Sequence, residues 1–204
     1  MRKKSEVRRQ AIIDVAAEIF NEIGFDRTSM AEISSRLGGS KATLYSYFSS
    51  KEEIFLEVMR RQAKTQFESR FALLMQDQSL DSTQTRATLR LFANQYLNLV
   101  LTSEIIVVRR LMIYHAEHSN LGCMYYDNGP KRGNQIIADF MERAMAAGVL
   151  READPALAAL QFRSLIEVEW NEPRLLGAMA PVSPEQVAQG VERALDAFYC
   201  IYGK

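Results

Sequence analysis

Between Ser40 and Lys51 the chain gathers Lys41, Thr43, Tyr45, Ser46 and Tyr47 into one short segment. An ammonium, two aliphatic hydroxyls and two phenols on one helix make a surface that can donate to phosphate oxygens. Thr and Tyr can also touch a base edge or a thymine methyl. Leu44 and Phe48, four residues apart, would point the other way and anchor the segment. Lys51 stands where a further helix should start, so its ammonium and the open amides there can face one phosphate together. By spacing alone, the same residues also describe a helical hairpin with a polar outer face.

Other chemistries find less support. There is no nucleophile elbow, phosphate-binding glycine loop, dinucleotide fingerprint or metal motif, and the carboxylates are dispersed on helical faces. His115 and His118 are an isolated pair without convergent Cys or carboxylate ligands. Cys123 and Cys200 are far apart in apolar settings and read as reduced packing residues, with no disulfide framework. No enzyme activity, metal or cofactor is expected. No run approaches the roughly 18 apolar residues needed to cross a bilayer, and the N-terminus has no apolar run with a cleavage site. A cytoplasmic protein without a membrane partner is therefore expected.

The 204 residues are 48% apolar and 25% charged with a formal net charge of zero, so no global field draws the chain to nucleic acid. The distribution is uneven: residues 1–64 carry 12 basic and 9 acidic side chains, and residues 65–204 carry 13 and 16. Arg2, Lys3, Lys4, Arg8 and Arg9 are opposed only by Glu6, an arm that can neutralise phosphates or simply fray as a solvated terminus.

The elements that must position these residues are helices throughout. Ile12, Ala16, Ile19, Phe20 and Ile23 recur at helical spacing before Gly24. Ser29 with Glu32, and Ser50 with Glu53, fit capping boxes; Ser40 can cap the segment between them. The result is a three-helix unit with a helix-turn-helix, whose second helix fits a major groove. From Lys51 a helix free of Pro and Gly runs to about Gln76, about 39 Å long, with Phe55, Met59 and Gln62 on one part and Phe67, Phe71 and Leu74 on the other. Further helices are expected from Asp81 to Leu101, Ser103 to Glu117, Asn120 to Tyr126, Pro130 to Gly148, Asp154 to Leu176, and Ser183 to Gly203. The fold class is all-α with about nine helices. The helix-turn-helix domain would span residues 1–50 and a helical effector-binding and dimerisation domain residues 51–204.

The string from Thr28 to Phe55 resembles the DNA-binding domain of the TetR family of transcriptional repressors. The matching residues are Thr28-Ser29-Met30, Glu32-Ile33, Gly38, Ser40-Lys41, Thr43-Leu44-Tyr45, Tyr47-Phe48 and Ser50-Lys51-Glu52-Glu53-Ile54-Phe55, with Gly24-Phe25 closing the first helix. Arg109 to Leu176, with Asn128-Gly129-Pro130, Gly148-Val149-Leu150 and Asp154-Pro155, resembles the AefR-like subgroup of C-terminal domains. The resemblance implies a homodimer that binds a palindromic double-stranded operator and releases it when a small-molecule effector enters the C-terminal domain. It implies phosphate contacts from Thr28 and Ser29, base-proximal positions for Lys41, Ala42, Thr43 and Tyr45, and backbone contacts from Tyr47 and Lys51. Gly39 stands where the family usually has Val, which should loosen the turn. Ala42 replaces a common Gly, and Ala31 stands where some members carry a base-reading Arg.

Two further sets belong to the larger domain. Met112, His115, Met124, Tyr125, Phe140, Phe162, Glu169 and Trp170 combine apolar bulk with a few polar groups, the composition of a small-molecule site but also of ordinary core. Leu157, Leu160, Ser164 and Glu167 on one helix, and Val187, Val191, Ala194, Phe198 and Tyr202 on the last, form stripes that could build a twofold four-helix interface or be buried within one chain. The resemblance places the dimer contact there. Rival readings are a helical protein-interaction module and a DNA-binding protein with a closed core and no effector.

Overall fold

The computed structural model describes residues 5–76, 80–117 and 120–204, with the side chains of residues 62–70 excluded. The basic residues Arg2, Lys3 and Lys4, His118, and the side chains of Gln62 and Phe67 lie outside the described residues. Among the described residues eleven helices account for the architecture: α1 (Glu6–Ile23), α2 (Met30–Leu37), α3 (Lys41–Tyr47), α4 (Lys51–Met75), α5 (Ser82–Val100), α6 (Ser103–His115), α7 (Leu121–Asn128), α8 (Pro130–Ala146), α9 (Pro155–Glu167), α10 (Asn171–Leu176) and α11 (Pro184–Tyr202). Among the described residues the β contribution is an isolated antiparallel bridge between Leu150 and Gly203.

The count exceeds the expected nine, and one of the additional helices arises because the helix expected from Asp154 to Leu176 is two. Pro173 explains the break. Inside a continuous helix its ring would clash with the preceding turn and remove a hydrogen bond, whereas in the first turn of a new helix both costs vanish. The chain therefore ends α9 at Glu167 and restarts at Asn171.

The chain divides into two compact units, one ending at Gln66 and the other starting at Phe67. The packing border thus lies inside α4, sixteen residues beyond the functional border expected at residue 50, because Ile54, Phe55 and Val58 are buried and belong to the first unit. Its core comprises Ile12, Ile13, Ala16, Ile19 and Phe20 from α1, Ile33 from α2, Leu44 and Phe48 from and after α3, and those three from α4. Phe20, Phe25 and Phe55 form a ring trio with centroids 4.8–5.8 Å apart, each pair contributing about 0.5–1.5 kcal/mol beyond its buried area.

Lys51 closes this unit. Its Nζ donates to the carbonyls of Phe25 (3.1 Å), Asp26 (3.4 Å) and Thr28 (3.1 Å). The same ammonium lies 4.4 Å from the Phe25 ring centroid. A cation at the first position of a helix opposes the helix dipole; here the loop carbonyls solvate it, and Glu52 and Glu53 in the same turn offset it. Between α1 and α4, Arg9 pairs with Glu57 at 3.2 Å and Arg61 pairs with Asp14. Burial pushes the Glu57 carboxyl up, but hydrogen bonds from Arg60 and Arg9 outweigh it and hold it below the usual carboxylate range. That depression stabilises the fold above the ordinary carboxylate value and is lost as pH falls through the lowered one.

The second unit is built around a run of rings. Phe71 of α4 meets Phe92 of α5 at 5.0 Å, Phe92 meets Phe162 of α9 at 6.3 Å, and Phe162 meets Phe198 of α11 at 5.2 Å. Leu89, Leu97, Ile137, Phe140, Met141, Val187 and Leu195 fill around them. Ser183 and Gln186 complete a capping box that starts α11. Cys123 and Cys200, expected in packed settings, are instead exposed and free: each sits on the outward register of its helix.

Lys51→Ala should lower the unfolding free energy of the first unit by about 1–3 kcal/mol, the scale for losing hydrogen bonds from a charged group. Urea unfolding, with hydrogen exchange of the amides from Phe25 to Thr28, measures it. An unchanged midpoint with unchanged protection would show that the three carbonyl contacts carry no weight.

Candidate DNA interface and regulatory-unit sites

The helix-turn-helix is set by local hydrogen bonds. Ser29 Oγ accepts from the Glu32 amide at 3.1 Å and starts α2. The reciprocal half of that capping box is replaced, since the Glu32 carboxylate lies 3.7 Å from Arg36. Gly38 ends α2 in the left-handed region at φ 68°, where a side chain would be strained. Ser40 Oγ accepts from the Thr43 amide at 3.1 Å and starts α3. At the start of α4, Ser50 Oγ accepts from the Glu53 amide at 3.2 Å, while the Glu53 carboxylate reaches Ser49 N at 2.7 Å and its hydroxyl at 2.9 Å.

The turn at Gly39, expected to be loosened by the missing side chain, is spanned by two hydrogen bonds. Ser34 Oγ donates to Gly39 O at 2.9 Å and Gly39 N donates to Ser34 O at 3.3 Å. The space a Cβ would take at Gly39 is filled by the Arg8 guanidinium, whose nearest nitrogen would lie 2.7 Å from it. Arg8 thereby brings positive charge to the α2–α3 turn, a placement no local pattern indicates.

With Leu44 and Phe48 buried beneath, α3 turns Lys41, Ala42, Tyr45 and Ser46 outward as one face. Tyr45 is 52% exposed. At 1.5 Å per residue the helix is about 10 Å long, and a helix of ordinary diameter fits a B-DNA major groove about 12 Å wide. The other members of the expected set have internal work. Thr28 is buried and its hydroxyl donates to Gly24 O at 2.7 Å, so it holds the α1–α2 loop rather than offering itself to a phosphate. Lys51 is likewise turned onto that loop and away from the phosphate role expected of it. Thr43 Oγ1 and Ser40 Oγ lie 2.9 Å apart, Ser46 Oγ donates to Thr43 O at 2.7 Å, and Tyr47 Oη accepts from Ser5 N at 3.2 Å. Ser29 stays exposed while it caps α2.

In the second unit the eight expected ligand residues do not share one chamber. Met112, Phe140, Phe162 and Trp170 are buried in packed surroundings, Met124 is exposed, and Tyr125 and His115 are half-buried. The Glu169 carboxylate lies on the surface in a bidentate pair with Arg193 at 2.8 and 2.6 Å. A small cleft of about 110 Å³ opens elsewhere, between Leu97, Leu101, Thr102, Pro181, Val182 and Val187. Among the described residues no group of three or more His, Cys, Asp or Glu side chains could hold a metal ion.

The expected interface residues separate into two groups. Leu157, Leu160 and Ser164 of α9 face outward, and Val168 extends their row. Glu167, expected on that row, is turned inward. Val187, Val191, Ala194, Phe198 and Tyr202 of α11 are all buried against this chain's own core. Helical periodicity marked the apolar side of α11 correctly, but its cover comes from within the chain.

Glu167 anchors a polar cluster that spacing does not reveal. It is 7% exposed. Its carboxylate accepts from Tyr96 Oη at 2.6 Å and lies 3.3 Å from Arg163 and 3.5 Å from Arg109. Arg163 also donates to Asn134 Oδ1 at 2.6 Å, and Arg109 to Asn171 Oδ1 at 2.6 Å. Burial, with the Glu167 charge adding to it, pushes the Tyr96 phenol well above its usual range, so it remains a hydrogen-bond donor. Burial also raises Tyr125, on which the same three charges act. The available signal was charge on a buried register: Glu167 adjoins Ile166 in α9, and Tyr96 follows Phe92 by one turn of α5.

Comparison with known proteins places both halves. Residues 87–204 match the C-terminal domain of AefR-like transcriptional repressors, and residues 12–58 match the bacterial regulatory proteins of the tetR family. A Mesorhizobium loti protein described as a TetR-family transcriptional regulator is 26% identical, with a TM-score of 0.80 and full coverage of both chains. The flavonoid-responsive regulator FrrA is 30% identical over 98% of each chain, with a TM-score of 0.69. The transcriptional activator FasR of Mycolicibacterium smegmatis is 43% identical over 54 residues, which span 26% of this chain and 25% of FasR. The A-factor receptor protein of Streptomyces griseus is 38% identical over 56 residues, spanning 28% of this chain and 20% of that protein. With a family match over more than half its length, a helix-turn-helix at one end and an all-helical unit at the other, the chain belongs to the TetR family of bacterial transcriptional regulators.

Proposed function

We propose that the chain is a ligand-responsive repressor that binds a palindromic double-stranded operator as a homodimer and leaves it when a small molecule occupies the C-terminal unit. Residues 1–50 would serve as the DNA-binding domain and residues 51–204 as the effector and dimerisation domain. The observation that carries the DNA reading is the outward face of α3, where Lys41, Ala42, Tyr45 and Ser46 stand over buried Leu44 and Phe48. Arg8 and Ser29 add phosphate-directed groups at its flank. In a dimer, two such helices must lie about 34–36 Å apart to enter successive major grooves.

The α9 row of Leu157, Leu160, Ser164 and Val168 supports self-association, because three large apolar side chains at 45–68% exposure are costly to leave in water. Repression rests on the AefR-like C-terminal match; ligand response rests on the same match and on the similarity to flavonoid-responsive FrrA. A ligand can act only by binding one state better than the other. The continuous helix α4, whose residues fall in both units, is the covalent route for that bias. The closed aromatic core around Phe162 favours a regulator without an effector as the second reading; it leaves the Glu167 cluster without a role.

Tyr45→Ala should weaken operator binding by about 1–3 kcal/mol in fluorescence anisotropy at matched salt, with the mass in solution unchanged. Wild-type affinity in that variant would remove α3 from the interface. Lys41→Ala should reduce the slope of log affinity against log salt by about 0.9 for each phosphate that is no longer neutralised. For assembly, Leu160→Asp should sediment as a monomer; a dimer that survives it unchanged is not built on the outward face of α9.

A further inference from the structure

We propose that Arg109, Arg163 and Glu167, with the Tyr96 and Tyr125 phenols, form the polar pole of the effector site, and that its ligand is a small organic anion bearing a carboxylate or phenolate. This rests on the ligand-response reading above and gives it a location and a chemistry.

The cluster is unbalanced in charge. Two guanidiniums, Arg163 at 3.3 Å and Arg109 at 3.5 Å, share the one Glu167 carboxylate. A purely structural buried pair needs one of each sign. A second guanidinium adds desolvation cost that a lone carboxylate shared between two cations repays poorly. Among the described residues the cluster therefore carries one more positive charge than negative. Accessibility points the same way. The Glu167 side chain is 9% exposed, while Arg109 and Arg163 retain 20% and 26%, so the unmatched positive charge is the part that solvent can reach. Each guanidinium has five N–H donors, and among the described residues each is held by Glu167 and one asparagine. Donors remain for an incoming oxyanion, already oriented by Asn171 and Asn134.

The placement suits a regulatory role. Tyr96 is on α5, Arg109 on α6, Tyr125 on α7, Asn134 on α8, Arg163 and Glu167 on α9 and Asn171 on α10. An anion bridging the two arginines would compete with Glu167 for them and redistribute the polar bonds that join these helices. Glu167 acts as the internal stand-in for the ligand's anionic group, which keeps the arginines placed while the site is empty. Tyr125, half-buried beside exposed Met124, supplies an aromatic and soft apolar margin for the ligand body.

The test uses the full chain and the fluorescence of its single tryptophan, Trp170, which adjoins Asn171. Salicylate and 4-hydroxybenzoate are titrated against their amides, which keep shape and lose charge. At least one carboxylate should bind saturably, with its amide about tenfold weaker, the scale of a lost charge-assisted hydrogen bond. Arg109→Met and Arg163→Met should each weaken the carboxylate by about tenfold, with Arg163→Lys recovering part of the loss. Glu167→Gln, which still accepts from Tyr96, should tighten it by about threefold or more, since a repelling charge is gone. A merely structural cluster would show the opposite for Glu167→Gln. Equal binding of acid and amide, weaker binding in Glu167→Gln, or no binding of either carboxylate to wild type at 10 mM, roughly the ceiling for such small ligands, overturns the assignment. Operator release separates the two readings. A neutral compound that releases DNA from wild type and arginine variants alike keeps ligand response and sinks the anion site. Charge-dependent binding without release supports the site and sinks ligand response.

Discussion

A single ammonium ties the first unit together. Lys51 begins α4, yet its charge is spent on three carbonyls of the α1–α2 loop and on the face of Phe25. Thr28, in the same loop, returns its hydroxyl to Gly24, and Ser29 next to it starts α2. Cap, turn and recognition helix follow within a few residues. A small three-helix unit buries too little surface to be rigid on apolar packing alone, so directional bonds from a charged group supply part of what its core lacks. The position of α3 is thus referenced to the first turn of α4 through polar geometry as well as through Leu44 and Phe48.

The second unit distributes its polarity differently. Its centre is a continuous run of rings from Phe71 to Phe198, and a group of its charges is gathered to one side at Glu167. Arg174, buried on α10, satisfies the carbonyls of Met179 and Leu101 at 3.0 and 3.1 Å, and Arg110 reaches the carbonyls of Arg174 and Leu175 at 2.8 and 2.7 Å. These arginines close helix ends through backbone carbonyls, while the buried Arg174 Nε has no hydrogen-bond partner among the described residues. The pair around Glu167 differs in facing a carboxylate that two cations must share.

What could be read in the sequence was whatever is local. Ser29, Ser40 and Ser183 act on amides three residues away, so their caps are visible in the string, and Leu44 with Phe48 fixes the inward side of α3. The partners of Lys51 lie in a loop that precedes it by more than twenty residues, and no spacing rule predicts that an ammonium will turn back to carbonyls rather than out to phosphate. The α11 stripe shows the limit of periodicity: it tells which side is apolar but not whose atoms cover it. Pro173 was legible in the string, since a Pro inside a helical pattern ends or kinks the helix before it. The Glu167 cluster draws on six helices and exists only after all of them have packed.

Gly39 has a consequence beyond its turn. The volume there is occupied by the end of a long cationic side chain instead of a fixed Cβ. A residue with a side chain at position 39 would displace the Arg8 guanidinium from where it now lies, so bulk at one site and charge position at the other are linked. Among related chains, the two positions should therefore drift together: a bare turn with a long base at position 8, or a filled turn with that base shortened or released to the groove. Operator preference could then change during descent without any change in the outward residues of the recognition helix.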